Sequence, residues 1–170
     1  MAALDVTNID SNYLNYSTGL LVSILLRYPE VGTISCSQEK QALILKFVVT
    51  KDFDFESLAK KLSLALEMFH KIEGRTMKLF TMEKYEQELD LLIITRDLSS
   101  ITQNEMNLIV EMIKSQLKEQ LICEESSLAE EEIMFQEEVI NHMLAAIRSN
   151  GTEKNMTAVR EDGRVLVFNG

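Results

Sequence analysis

The sequence predicts an α+β fold: an antiparallel sheet built from two strand-strand-helix units, preceded by a buried helix and followed by a helix and a C-terminal β-hairpin. Three observations carry this. Stretches rich in branched apolar residues come in pairs, at 31–36 with 41–50 and at 77–81 with 89–95. Each pair is followed by apolar residues at helical spacing. Near the end, Asp162-Gly163 sits between two short apolar runs, the composition of a two-residue hairpin turn. Runs of strands interleaved with helices in this order fit helices packed on an antiparallel sheet.

The segment Tyr13 to Tyr28 is apolar on almost every side (Leu14, Leu20, Leu21, Val22, Ile24, Leu25, Leu26), which suits a helix surrounded by neighbours, and Pro29 ends it. Next, Val31 to Cys36 and Gln41 to Thr50 flank the polar SQEK as a β-hairpin. Asp54 precedes Phe55, Leu58, Leu62, Leu66, Phe69 and Ile72, a helical stripe that stops at Gly74. A second strand pair, Met77 to Thr81 and Leu89 to Thr95, surrounds the charged connection MEKYEQE. Thr102 and Glu105 then make a T-x-x-E capping box, with Ile101 and Met106 at the two positions of a hydrophobic staple. The stripe Met106, Ile109, Val110, Ile113 and Leu117 follows. Ser127 and Glu130 suggest another capping box for a helix running through Ile133, Val139, Ile140, Met143, Leu144 and Ile147, closed by Arg148 and Asn150-Gly151.

Nearly the same hexapeptide occurs twice, as VVTKDF from Val48 and IITRDL from Ile93. The expectation is that both mark the exit of a strand through a polar turn into a helix, with Thr and Asp in local turn and cap roles. An offset of 45 puts the face carrying Leu43, Leu45, Phe47 and Val49 onto the face carrying Asp90, while an offset of 46 aligns the apolar faces better. The expected organisation is a single α+β domain over 1–148, with possible repeat units at 31–74 and 76–122. Residues 149–170 form a linker and a C-terminal hairpin that docks on its own sheet or on a partner subunit.

With 27 acidic against 17 basic residues the formal charge is -10, which repels phosphate backbones and anionic lipid. No nucleic acid and no membrane are therefore expected as partners. The basic residues Arg148, Lys154, Arg160 and Arg164 in the tail are offset by Glu153, Glu161 and Asp162, with only Phe168 available for base stacking. The N-terminus lacks a basic region, and the run from Gly19 to Leu26 is far shorter than the ~20 residues of a spanning helix, so a cytoplasmic location is expected. Cys36 and Cys123, the two cysteines, are expected to be reduced, and the N-x-[ST] matches at Asn15, Asn150 and Asn155 carry no weight in that setting.

Glu67 and His70 have E-x-x-H spacing on one helix, but His142 has Val139 where a second such motif needs Glu. Glu138 lies one turn before His142 without completing a ligand set. Cys36 and Cys123 have no histidine nearby in sequence, and the six glycines form no phosphate-cradling loop. The expectation is thus no catalytic residue, no cofactor and no metal. Charge is segregated: Lys60, Lys61, Lys71, Arg75, Lys78 and Lys84 gather around the helix at 55–73 and the strand after it. Glu124, Glu125, Glu130, Glu131, Glu132, Glu137 and Glu138 crowd the start of the last helix. Solvated faces explain such a pattern, and so does complementary docking.

In its order of elements (helix, hairpin, helix, hairpin, helix, helix, hairpin) the chain resembles the roadblock and profilin-like domains, although it lacks the extra strand of the roadblock second half. The resemblance implies a dimerising scaffold or regulator. The leading expectation is a non-enzymatic cytoplasmic interaction or regulatory protein acting as a homodimer. A small-molecule-binding sensor is the alternative, and an enzyme using Glu67, His70 or His142 comes third. Val159, Leu166 and Phe168 on one hairpin face and Val165 and Val167 on the other are the interface candidates.

Overall fold

The computed structural model describes residues 3–5, 16–125, 128–152 and 154–169. The elements are β1 (Ala3–Asp5), α1 (Tyr16–Arg27), β2 (Thr33–Ser37), β3 (Ala42–Val49), α2 (Phe55–Glu73), β4 (Phe80–Tyr85) and β5 (Asp90–Asp97). They continue as α3 (Gln103–Leu117), β6 (Leu121–Ile122), α4 (Glu130–Asn150), β7 (Met156–Glu161) and β8 (Arg164–Asn169). The fold is α+β. One eight-stranded sheet runs in the order β1-β8-β7-β2-β3-β5-β4, with β6 beside β3, and every pairing is antiparallel.

Alternation along β3 decides where the core lies. Leu43, Leu45, Phe47 and Val49 are fully buried and stand level with Arg96, Ile94, Leu92 and Asp90 of β5. On the same side, Ile34, Cys36, Met156, Ala158, Val165 and Val167 join one hydrophobic cluster. Leu21 of α1, Leu62 of α2, Ile109 of α3 and Leu144 of α4 belong to it too. The helices therefore form a layer on one side of the sheet. Within that layer α2 neighbours α3, α3 neighbours α4, and α4 lies along α1. That crossing is close: a Cβ on Gly19 of α1 would stand 3.0 Å from Cε of Met143 in α4.

Local chemistry sets several boundaries where the sequence predicts them. The Asp54 side chain accepts from the Ser57 N–H at the start of α2, and Gly74 closes it at φ 70. Asp162 and Gly163 take φ of 50 and 75, the double left-handed turn that matches strand twist, and put Glu161 opposite Arg164. The hairpin docks on its own sheet, with β7 beside β2. At α3, Thr102 caps the Glu105 N–H and both staple residues are buried.

Other expectations are corrected. β4 begins at Phe80, not Met77, because the Asp97 carboxylate accepts the N–H groups of Lys78 (3.1 Å) and Leu79 (2.9 Å) and takes them out of the ladder. Met82 to Tyr85, expected in the connection, are strand, paired from Met82 with Ile94 to Tyr85 with Leu91. β5 continues past Thr95 to Asp97. The two hexapeptides are thus not equivalent: after Val49 the first leaves the sheet with Lys51 and Asp52 exposed, whereas Arg96 and Asp97 of the second remain in strand and buried. Phe47 stands level with Leu92, so the offset of 45 preserves the faces, and the helix-covered face does carry Asp90 and Arg96. Cys123 follows β6 and is exposed. α4 starts at Glu130 with Ala129 at its cap position and no side-chain cap bond, and Ser127 lies outside the described residues. The strands β1 and β6 were not expected, and residues 13–15 of the first predicted helix also lie outside the described residues.

Candidate functional site

The side of the sheet away from the helices carries a concave groove across β3, β5 and β4. Three ladder rungs form its floor: Ile44, Thr95 and Thr81; Lys46, Ile93 and Glu83; then Leu91 and Tyr85 beside Val48. Lys40, in the β2–β3 turn, and Leu79, ahead of β4, close one end. The volume is about 630 Å³, within the range of small-molecule and peptide-side-chain pockets. Its character is amphipathic. Ile44, Leu79, Leu91 and Ile93 supply apolar surface, while Lys46 and Glu83 flank Ile93 on neighbouring strands, each one strand removed from it. β4 is the last strand of the sheet on this side, so its outer backbone groups border the groove without a strand partner among the described residues.

Beneath the groove, on the helix side, lies a buried ionic centre. Arg96 is fully buried and forks onto Glu105 of α3, with Nε to Oε2 at 2.6 Å and Nη2 to Oε1 at 2.8 Å. Nη2 also reaches Oγ of Ser100 at 3.0 Å, while Nη1 donates to the Leu79 carbonyl at 3.0 Å and to the Asp97 carboxylate. His70, one turn from the end of α2, donates from Nε2 to Oε1 of Glu105, the oxygen that also accepts from Arg96 Nη2. Burial by itself pushes the Asp97 carboxyl up, yet hydrogen bonds from Ser99, Ser100 and Leu79, together with the Arg96 charge, hold it well below the usual carboxylate range. Five parts of the chain meet here: α2, the start of β4, β5, the turn after it, and α3. Because Arg96 and Asp97 both grip Leu79, the centre fixes the strand that forms one wall of the groove.

Sequence reasoning missed this centre. The capping box assigned Glu105 to its own helix start, but only half of that box exists: Thr102 Oγ1 accepts from the Glu105 N–H, and the Glu105 carboxylate turns to Arg96 and His70. The available signal was Arg96-Asp97 itself, two charges at the end of the apolar run LLIIT. Charges seldom enter a covered strand without partners.

The other candidates are dispersed. Glu67 is exposed while His70 is buried against Glu105, and His142 is exposed on α4. Among the described residues no group of three His, Cys, Asp or Glu is placed to hold a metal ion. Cys36 is buried in β2, which pushes its thiol up to about 12. Of the hairpin residues, Val165 and Val167 go into the core under α1, so they are not available to a partner, and Val159, Leu166 and Phe168 stay half-buried on the groove side. Thr33, Ser35 and Thr157 separate that patch from the groove. Two of the tail arginines are committed internally: Arg148 to the Ile101 carbonyl, and Arg160 to the carbonyls of Leu25, Tyr28 and Val31. No helix among the described residues is long and apolar enough to cross a membrane. No known protein family, curated protein or solved structure matches the chain.

Proposed function

We propose that this protein is a non-enzymatic binding module that receives an extended segment of a protein partner along β4, with alternate side chains of that segment in the groove. The observation that carries the proposal is the juxtaposition of an amphipathic groove with a strand edge that has no strand partner among the described residues. Strand addition at such an edge gives affinity through main-chain hydrogen bonds, and the pockets beside it give specificity. Lys40 and Lys46 have no ion-pair partner among the described residues, in a chain of net charge -10, and they favour a segment bearing acidic side chains. A non-catalytic role is supported by the burial of His70, Arg96 and Glu105 under the helices, where Arg96 and His70 Nε2 both bond to the Glu105 carboxylate. The unpaired Cys36 and Cys123 support a reducing, cytoplasmic setting.

Panning a displayed random-peptide library against the purified protein tests the proposal. Enriched sequences should alternate apolar and acidic residues, and their binding should fall at least ~10-fold in Tyr85→Ala and in Lys46→Glu. Equal binding to both variants would overturn it. The groove's volume and paired lysines also suit a small apolar anion, the sensor reading. A small molecule that stays with the native protein in mass spectra, and is lost in Lys46→Glu, would favour that reading over the peptide.

A further inference from the structure

Among the described residues, five of the six most exposed large hydrophobic side chains lie on the outer surfaces of two helices. Leu64, Met68 and Ile72 of α2 are 54%, 65% and 82% exposed, and Met134 and Phe135 of α4 are 57% and 59% exposed. Spacing explains the first group: Leu64, Met68 and Ile72 are four residues apart, so they form one ridge. Leu58, Leu62, Leu66 and His70 occupy the opposite, buried side of α2. On α4 the inward line is Ile140, Leu144 and Ile147, and Met134 and Phe135 fall on the far side. Neither group serves the core or the groove.

The two ridges differ in charge. Lys60, Lys61 and Lys71 are exposed around the α2 ridge, with Glu67 as the one acidic neighbour. Glu130, Glu131, Glu132 and Glu138 are exposed around Met134 and Phe135, with no basic residue between Glu130 and Asn141. One surface is apolar and basic, the other apolar and acidic, and both belong to the helix layer. We infer that the occupant of each is the other surface on a second copy of this chain. α2, α3 and α4 lie side by side in that order. A two-fold axis lying in the interface, along the outer side of α3, therefore sets α2 of one copy against α4 of its partner and repeats the contact on the other side, which closes the assembly at two subunits. The apolar ridges supply the buried surface, and the charges fix the register and exclude the misaligned pairings that would bring lysine against lysine. This surface is on the opposite side of the molecule from the groove and does not depend on the function proposed for it.

Sedimentation equilibrium on the full chain and on two charge-reversed variants provides the test. The chain mass is 19.4 kDa, and the wild type should sediment at twice that. Dissociation should strengthen ~10-fold or more on raising the salt from 0.05 to 0.5 M. A variant with Lys60, Lys61 and Lys71 all changed to Glu, and another with Glu130, Glu131 and Glu138 all changed to Lys, should each be monomeric, with dissociation constants raised at least ~100-fold. Both sets lie on exposed helical surface, and circular dichroism checks that each variant is folded. Mixed one to one, the two variants should form a heterodimer, because the acidic α2 of the first meets the basic α4 of the second while the unaltered α4 and α2 still complement each other. A monomeric wild type, a dimer indifferent to both reversals, growth into open chains, or no recovery on mixing would overturn the inference.

Discussion

The Arg96 guanidinium is the residue on which the most interactions converge, and its removal is informative. Replacing it by methionine keeps much of the volume but leaves Glu105 and Asp97 without their shared donor in a buried site. Breaking one partner of a buried ionic group in this way costs about 3–5 kcal/mol, more than the pair contributes net. We therefore expect Arg96→Met to lower the urea midpoint sharply, and the double change with Glu105→Leu to recover part of the loss. An additive double variant would mean that the two residues do not act together. Asp97 supplies a pH test. Its folded carboxyl is depressed, so its stabilisation is fully present above the ordinary unfolded value of ~4 and declines as pH falls below that toward the folded value. The midpoint difference between wild type and Asp97→Asn should be largest at pH 7 and shrink by pH 3; a constant difference would remove Asp97 from the account. None of this was legible residue by residue, because a capping motif is local whereas the partner that claims Glu105 lies on another element. Three-residue spacing located Glu105 correctly and misassigned its carboxylate.

Elements that carry their own start and stop chemistry were read closely. α2 between Asp54 and Gly74 and the β7-β8 turn at Asp162-Gly163 stand where short-range rules put them. β4 was misplaced because its limits come from elsewhere: Asp97 withholds the amides of Lys78 and Leu79, and pairing with β5 makes strand of a charged stretch. The end of α1 is another element governed at a distance. Nη2 of Arg160, from β7, lies 2.7 Å from the Leu25 carbonyl oxygen and 3.2 and 3.1 Å from those of Tyr28 and Val31, supplying donors to the carbonyls that a helix end leaves open. Arg160→Met should cost about 2 kcal/mol, as expected for hydrogen bonds from a charged donor, and should speed amide exchange of Tyr28 and Val31 in particular. Uniform acceleration across α1 would show that the helix end is held by packing alone.

Across the whole molecule, the two faces of the sheet have separate roles: one is covered by four helices, and the other holds the groove and the half-buried Val159, Leu166 and Phe168. The C-terminal hairpin belongs to the first of these as much as to the second. Deleting residues 156–170 would uncover the edge of β2 and the part of α1 that rests on β7, so we expect an aggregate or an unfolded chain by light scattering, not a folded monomer. A folded monomer would mean that the hairpin is an accessory. The position of β7 between β8 and β2 also has a consequence in time. The unit β2-β3-β5-β4 with α2 and α3 is made of neighbours in sequence and can assemble early, whereas β2 must wait for a strand made more than a hundred residues later. Contacts of such long range form slowly. Until they do, the nascent chain presents an unpaired strand edge and the apolar side of α1 together. Substitutions in β7, such as Ala158→Gly, should therefore accelerate unfolding and leave the main refolding phase nearly unchanged, and the interval before the last hairpin docks is when this chain is most exposed to aggregation and to proteases.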